Sequence, residues 1–199
     1  MYNNREAFTA GEFKRRLEYG EKILPPYYDY YINKWSRTII AEKFIRSVLI
    51  QNVPVNGKLD KLEFNGRQIN VVDYKTGNHA NAIKKLVTPN DKEPNGGDYW
   101  RQAVFYKILI DNDSANDWKV TSTEFDFIEP VGDEYKVEKV MITETDVATV
   151  THQITETWRK IQDKEFKTGC GKPDCDWCKF VKTNKLAVAL HEPEEETAG

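Results

Sequence analysis

Gly57-Lys-Leu-Asp60-Lys-Leu-Glu-Phe-Asn65-Gly66-Arg-Gln-Ile-Asn-Val-Val-Asp73-Tyr-Lys75-Thr-Gly77 is the stretch whose reading decides the fold. Asn-Gly between two runs of alternating apolar residues is the strongest short-range hairpin signal, and it predicts a two-residue type I′ turn at Asn65-Gly66. That turn sets Phe64 against Arg67 and Asp60 against Val71, with Asp73 two residues further along the same face. Diagonal neighbours of this kind lie roughly 7–8 Å apart. Period-two alternation places Lys75 on that face beside Asp73. Leu62, Phe64, Ile69 and Val71 make the rest of it apolar. Two carboxylates and an ammonium therefore gather at one end of a core-like face, where charge is costly unless a metal or substrate compensates it.

A carboxylate pair at bridging distance is the usual cradle for Mg²⁺, which takes one or two carboxylates with waters and phosphate oxygens. A neighbouring lysine can orient water or neutralise charge on a phosphate. Asp-x-Lys is frequent by chance, and a surface hairpin with exposed ion pairs is the plain alternative. A second motif shifts the balance. Gly97-Asp-Tyr-Trp-Arg-Gln102-Ala-Val-Phe-Tyr106 reads as the start of a helix with Asp98 as N-cap. Gln102 and Tyr106, four apart, share one helical face.

The order Gly-x-x-Asp60, Asp73-x-Lys75, then Gly97-x4-Gln102-x3-Tyr106 resembles the RecB-like branch of the PD-(D/E)XK nucleases, over roughly residues 38 to 180. The resemblance implies an α/β fold: a central mixed β-sheet with flanking helices around a restriction-endonuclease-like core. It also implies a Mg²⁺- or Mn²⁺-dependent DNA exonuclease domain, of the kind fused to helicases that act in DNA repair and recombination. On that likeness Asp60 and Asp73 hold the metal, with the carbonyl of Tyr74 as a further ligand. Lys75 positions the attacking water, and Gln102 and Tyr106 hold the DNA strand or brace the metal ligands. Glu42 matches an accessory glutamate of the family, and reads equally as a solvent-facing strand charge.

The chain has 199 residues, 39% of them hydrophobic, enough for one domain with a real core and appended segments. A net charge of −3 argues against a uniformly basic coat, yet a local basic groove suffices for nucleic acid. No apolar run approaches the ~20 residues that span a bilayer, and no signal peptide is visible, so no membrane partner and a cytoplasmic location are expected. Four regions follow: a helical segment 1–36, a nuclease core 37–168, a cysteine-rich knuckle 169–185 and a disordered acidic tail 186–199.

Along the chain, residues 4–35 read as helical with a break at Pro25-Pro26, and the aromatics from Tyr27 to Trp35 read as packing residues. Thr38 to Ile50 reads as a strand that continues through Val53 and Val55 to the hairpin. Residues 78–97 read as a polar loop, in which Lys84 and Lys85 could reach a DNA backbone. Strands are expected near 119–129 and 134–142. Thr143 with Asp146 forms a capping-box pattern before a helix whose apolar stripe is Val147, Val150, Ile154, Trp158 and Ile161. Residues 159–185 carry eight basic against four acidic side chains, a balance suited to phosphate or to an ordinary solvated face.

Cys170, Cys175 and Cys178 place three thiols in nine residues beside Gly and Pro, a pattern that suggests a metal knuckle for zinc or iron–sulfur. Many RecB-like nucleases hold a [4Fe-4S] cluster with one cysteine upstream of the core and three downstream. Here the downstream position matches, but the spacing is Cys-x4-Cys-x2-Cys and no upstream cysteine is present. A vestigial knuckle packed on Trp177 and Phe180 is the other reading. The family's upstream histidine is also absent, since the first histidine is His79. Both absences suggest a piece of a longer polypeptide with a helicase domain in the same chain or complex, or else a shortened homologue. The competing function is a catalytically inactive nucleic-acid-binding or scaffolding domain that keeps the fold.

Overall fold

The computed structural model describes residues 8–35, 38–165 and 174–183. In chain order the elements are α1 (Ala10–Tyr31), β1 (Ile39–Ile50), β2 (Val53–Asn65), β3 (Gln68–Lys75), α2 (His79–Ile83), α3 (Asp98–Asp111), β4 (Lys119–Phe127), β5 (Val137–Val140), α4 (Glu144–Gln162) and α5 (Asp176–Thr183). Five strands form one sheet in the order β1-β2-β3-β4-β5. Neighbours are antiparallel except β3 and β4, which run parallel. A parallel pair needs a long crossover, and the stretch holding α2 and α3 supplies it. The fold is the mixed α/β sheet with flanking helices that the sequence led us to expect.

The central hairpin forms, one residue later than expected. Its turn is Gly66-Arg67, and the ladder pairs Asn65 with Gln68, Phe64 with Ile69 and Leu62 with Val71. Gly66 takes φ +63° while Asn65 stays in the strand. Positive φ at the first central residue alone is the signature of a type II′ turn, which favours glycine there. Phe64 therefore faces Ile69 and not Arg67, and Leu62, not Asp60, faces Val71. The shift is two residues in pairing, so the faces are preserved. Upstream, the strand expected to run from Thr38 through Val55 is two strands. Gln51 and Asn52, at φ 47° and 69°, make a type I′ turn that pairs Ile50 with Val53.

Three further elements depart from expectation. Pro25 and Pro26 lie inside α1 and do not break it. Each lacks an N–H donor, yet the following turns are held by aromatic packing: Tyr27 is buried and meets Tyr31, Trp35, Tyr74 and Tyr135 ring to ring. Within the expected loop 78–97, Asn78 caps the short α2 by accepting from the Asn81 N–H. The N-cap of α3 is Gly97, and Asp98 sits in the first turn, where it pairs with Arg101. The α4 capping box is realised, with the Asp146 N–H donating to Thr143 Oγ1 and the Thr143 N–H to Asp146 Oδ2.

The chain divides into two compact units, Met1–Thr155 and Glu156–Gly199. In the first, Leu59, Leu62, Ile69 and Val71 of the sheet pack with Val104, Ile108 and Leu109 of α3 and with Val150 of α4. The C-terminal half of α1 lies against Tyr74 and Asp126, whose carboxylate accepts from Tyr27 Oη at 2.5 Å. In the second, Arg159 is bound by Glu156, Asp163 and Glu165, and Lys179 by Asp174. Part of the basic excess counted there is thus neutralised locally. Among the described residues no helix is long and apolar enough to cross a membrane. The acidic tail lies outside them.

Candidate active site

Asp73 is the centre of the site. It is 4% exposed, at the end of β3, and both oxygens are engaged. Oδ1 accepts from Tyr106 Oη at 2.7 Å and from Gln102 Nε2 at 3.0 Å, and Oδ2 lies 2.6 Å from Lys75 Nζ. Gln102 closes the ring: its Oε1 accepts from Lys75 Nζ at 2.8 Å and its Nε2 also donates to Tyr106 Oη at 2.6 Å. Every polar atom of Gln102 is thereby used, which fixes the orientation of its amide. Burial and the adjacent Asp73 carboxylate push the Tyr106 phenol far up, so it remains a hydrogen-bond donor. Lys75 also sits over the faces of Tyr99 and Phe125, at 4.4 and 5.1 Å from their centroids. Such rings favour a cation.

Asp60 joins this group from β2. The β2–β3 ladder ends at Lys61 with Val72, one step short of the place where Asp60 would meet Asp73. The Asp60 side chain takes over, with Oδ2 accepting the Tyr74 N–H at 3.0 Å. A carboxylate thus substitutes for a backbone acceptor at the sheet end. Burial raises the Asp60 pKa, the Tyr74 N–H opposes this, and repulsion from Asp73 and Glu42 adds to the rise. Glu42 itself is exposed, stands in β1 at φ 55° and pairs with Lys58.

Two glycines of the motifs bring the elements close enough. A Cβ on Gly57 would come within 2.4 Å of Leu109 Cδ2, so α3 rests directly on β2 there. A Cβ on Gly97 would meet the Lys85 carbonyl oxygen at 2.2 Å. That carbonyl accepts from the Tyr99 and Trp100 N–H groups at the α3 N-terminus. After Lys75 the chain is held by Glu129, which accepts from the Gly77 N–H at 2.5 Å. Glu129 also binds Tyr19, and together with burial it pushes that phenol up to about 12.

All five residues singled out in the sequence, Asp60, Asp73, Lys75, Gln102 and Tyr106, come together, and Tyr74 stands between two of them. The cysteines are a different matter. Cys170 lies outside the described residues, while Cys175 and Cys178 flank the start of α5 and are not joined in a disulfide. Trp177 meets Phe180 edge-on and is 77% exposed, and the remainder of the expected knuckle, 169–173 and 184–185, lies outside the described residues. Among the described residues no three His, Cys, Asp or Glu side chains gather as a metal site. Sequence reasoning missed Trp35, Lys61 and Tyr27–Asp126, which meet the site's strands on the α1 side. No spacing rule could find these contacts, which join residues far apart in the chain.

The family model of the PD-(D/E)XK nuclease superfamily matches residues 4–183. The chain belongs to the PD-(D/E)XK nuclease superfamily. Two solved structures are similar to this nuclease-family chain. The “Putative exonuclease” of Eubacterium rectale aligns with TM-score 0.47 at 16% identity, over 90% of this chain and 66% of its own. SSO0001 aligns with TM-score 0.39 at 15% identity, over 74% of this chain and 59% of its own. This chain therefore spans less than two thirds of the length of either. At these similarities the family assignment rests on the family match alone. No curated protein matches the chain.

The donor set of this PD-(D/E)XK chain fits a hard divalent cation. Two carboxylates, one of them raised in pKa by burial and further by its neighbour, carry negative charge that the ammonium of Lys75 offsets only in part. Mg²⁺ and Mn²⁺ take such oxygen ligands and fill the remaining positions with water and phosphate.

Proposed function

We propose that the chain is a Mg²⁺- or Mn²⁺-dependent deoxyribonuclease domain of the RecB-like type, acting from DNA ends. The observation that supports this most is the closed network in which Lys75 lies between Asp73 Oδ2 and Gln102 Oε1. Asp60, Asp73 and the Tyr74 carbonyl are the groups that would hold the ion. A bound divalent ion supplies charge stabilisation at the phosphate and a more acidic water.

The protein's own residues do the rest. Lys75 holds its ammonium beside the carboxylates, where it can orient the attacking water and offset charge on the phosphate oxygens. Gln102 and Tyr106 fix the rotamer of Asp73 and the reach of Lys75; their contribution is positioning. A helicase in the same polypeptide or complex, and a role in repair or recombination, belong to this proposal as well. A [4Fe-4S] cluster in a longer chain would have to draw on Cys170, Cys175 and Cys178.

The test is cleavage of end-labelled DNA with Mg²⁺ or Mn²⁺, with and without Asp73→Ala. Wild type should shorten the DNA from its ends, and Asp73→Ala, checked for folding by circular dichroism, should not. A wild-type protein that shifts DNA on a gel but leaves it intact with either ion would favour the non-catalytic binding domain. Activity persisting in the folded variant would remove Asp73 from the mechanism.

A further inference from the structure

A cleft of about 420 Å³ opens beside Asp60, between the chain that follows α1 and strands β1 to β3. Its walls include Trp35, Tyr74, Ile32 and Ala41, and Lys61 and Asp60 complete the side nearest the site. The volume lies in the range of small-ligand pockets, and the lining is mostly aromatic and aliphatic. Asp60 belongs both to this cleft and to the carboxylate pair, so an occupant of the cleft and a group bound at Asp60 would be neighbours.

The polar groups narrow the occupant. Lys61 is the cation in the wall, but its ammonium is almost fully buried and tied to Glu63 at 3.0 Å, with the Trp35 and Tyr74 rings at 6.0 and 5.2 Å. Its charge is already met, and Asp60 is negative, so a free phosphate is disfavoured. The indole N–H of Trp35 is shielded from solvent and has no acceptor among the described residues, a costly state for a buried donor. That donor is closed off from the cleft as well, so the occupant meets the ring and aliphatic surfaces of the walls, and a flat aromatic ligand suits them. Aromatic walls stack on any base, since every base presents a π-face.

We infer that this cleft is a subsite for one unpaired nucleobase of the DNA strand whose phosphate lies at Asp60 and Asp73. The inference rests on the nuclease reading above and adds to it a substrate form. A base within a duplex is stacked and paired and must leave the helix to enter such a pocket. The strand that is bound is therefore single-stranded or frayed at the site, and one nucleotide beside the scissile phosphate is held by its base.

The experiment uses fluorescence anisotropy with Ca²⁺, a hard cation that takes the same oxygen ligands, in place of Mg²⁺ or Mn²⁺, on single-stranded oligonucleotides in which one abasic residue is moved along the strand. Loss of one stacked base should weaken wild-type binding roughly tenfold at one position only, in line with base–aromatic stacking. Trp35→Ala should weaken binding of the intact strand by a similar factor and erase the penalty at that position. Should Trp35→Ala fail to fold, Ala41→Trp fills the cleft from an exposed strand position and should have the same two effects. A blunt duplex of the same sequence should bind more weakly than the single strand. The inference is overturned if wild type does not bind single-stranded DNA, if no abasic position matters, or if the folded variants keep the penalty. DNA cleavage without any abasic penalty would spare the nuclease reading and sink the subsite. A penalty without cleavage would do the reverse.

Discussion

Lys75 is the residue whose chemistry is most open to a direct trial. Its ammonium contacts Asp73 and Gln102 and lies on Tyr99 and Phe125, so it is held without a water shell on those sides. Removing it as Lys75→Ala should leave divalent-ion binding measurable by calorimetry and lower turnover on the order of 10²–10³-fold, the usual cost of one preorganised electrostatic group. Parallel loss of ion affinity and turnover would make it structural support instead. Gln102 and Tyr106 differ in what they share with it. Tyr106→Phe removes one donor from Asp73 Oδ1 and leaves Gln102 bonded there, at a cost of about 1 kcal/mol in stability. Gln102→Ala also releases Lys75. Steady-state kinetics should therefore show Gln102→Ala to be the more damaging to turnover, and the reverse order would place Tyr106 at the substrate.

At the level of elements, α3 carries Gln102 and Tyr106, and its seat depends on two glycines with different tolerances. The atom that blocks a Cβ at Gly57 is the tip of the Leu109 side chain, whereas at Gly97 it is the Lys85 backbone. Gly57→Ala should cost roughly 1–3 kcal/mol, as overpacking does. Gly97→Ala should cost more, because a backbone already bonded to the α3 N-terminus has to move. Urea titrations compare the two, and an equal or smaller loss at Gly97 would show that the loop holding Lys85 yields freely. The sequence made most of this legible because Asp60, Asp73, Lys75, Gln102 and Tyr106 sit on regular elements at spacings that define faces. What it could not show was decided by local torsions or distant contacts. Asn65-Gly66 announced a turn, but only Gly66 took positive φ, so the pairing moved. Gln51-Asn52 carried no comparable signal and still formed a turn. Pro25-Pro26 would break an isolated helix, and the aromatic packing around Tyr27 overrides that preference.

For the whole molecule, the carboxylate pair sets function against stability. Asp60 is raised in pKa first by burial, with repulsion from Asp73 and Glu42 adding to it. Folding therefore favours its protonated form. That contribution is fully present below the unfolded-state value and is lost as pH rises through the higher folded value. At neutral pH the fold thus carries Asp60 as an ionised group in an unfavourable place. Asp60→Asn keeps an oxygen to accept the Tyr74 N–H and removes the charge. In buffer free of divalent ions it should melt above wild type at pH 7, and the gap should close in acid, below the ordinary carboxylate range. Adding Mn²⁺ should reverse the order. An ion that binds only the folded protein stabilises it by about 2.7 kcal/mol at a hundred times its Kd, and Asp60→Asn lacks one of the two carboxylates that would hold it. Calorimetric melts across pH and Mn²⁺ concentration measure both effects. A variant that melts below wild type without metal, or that gains as much from Mn²⁺ as wild type does, would show that Asp60 serves the sheet and not an ion.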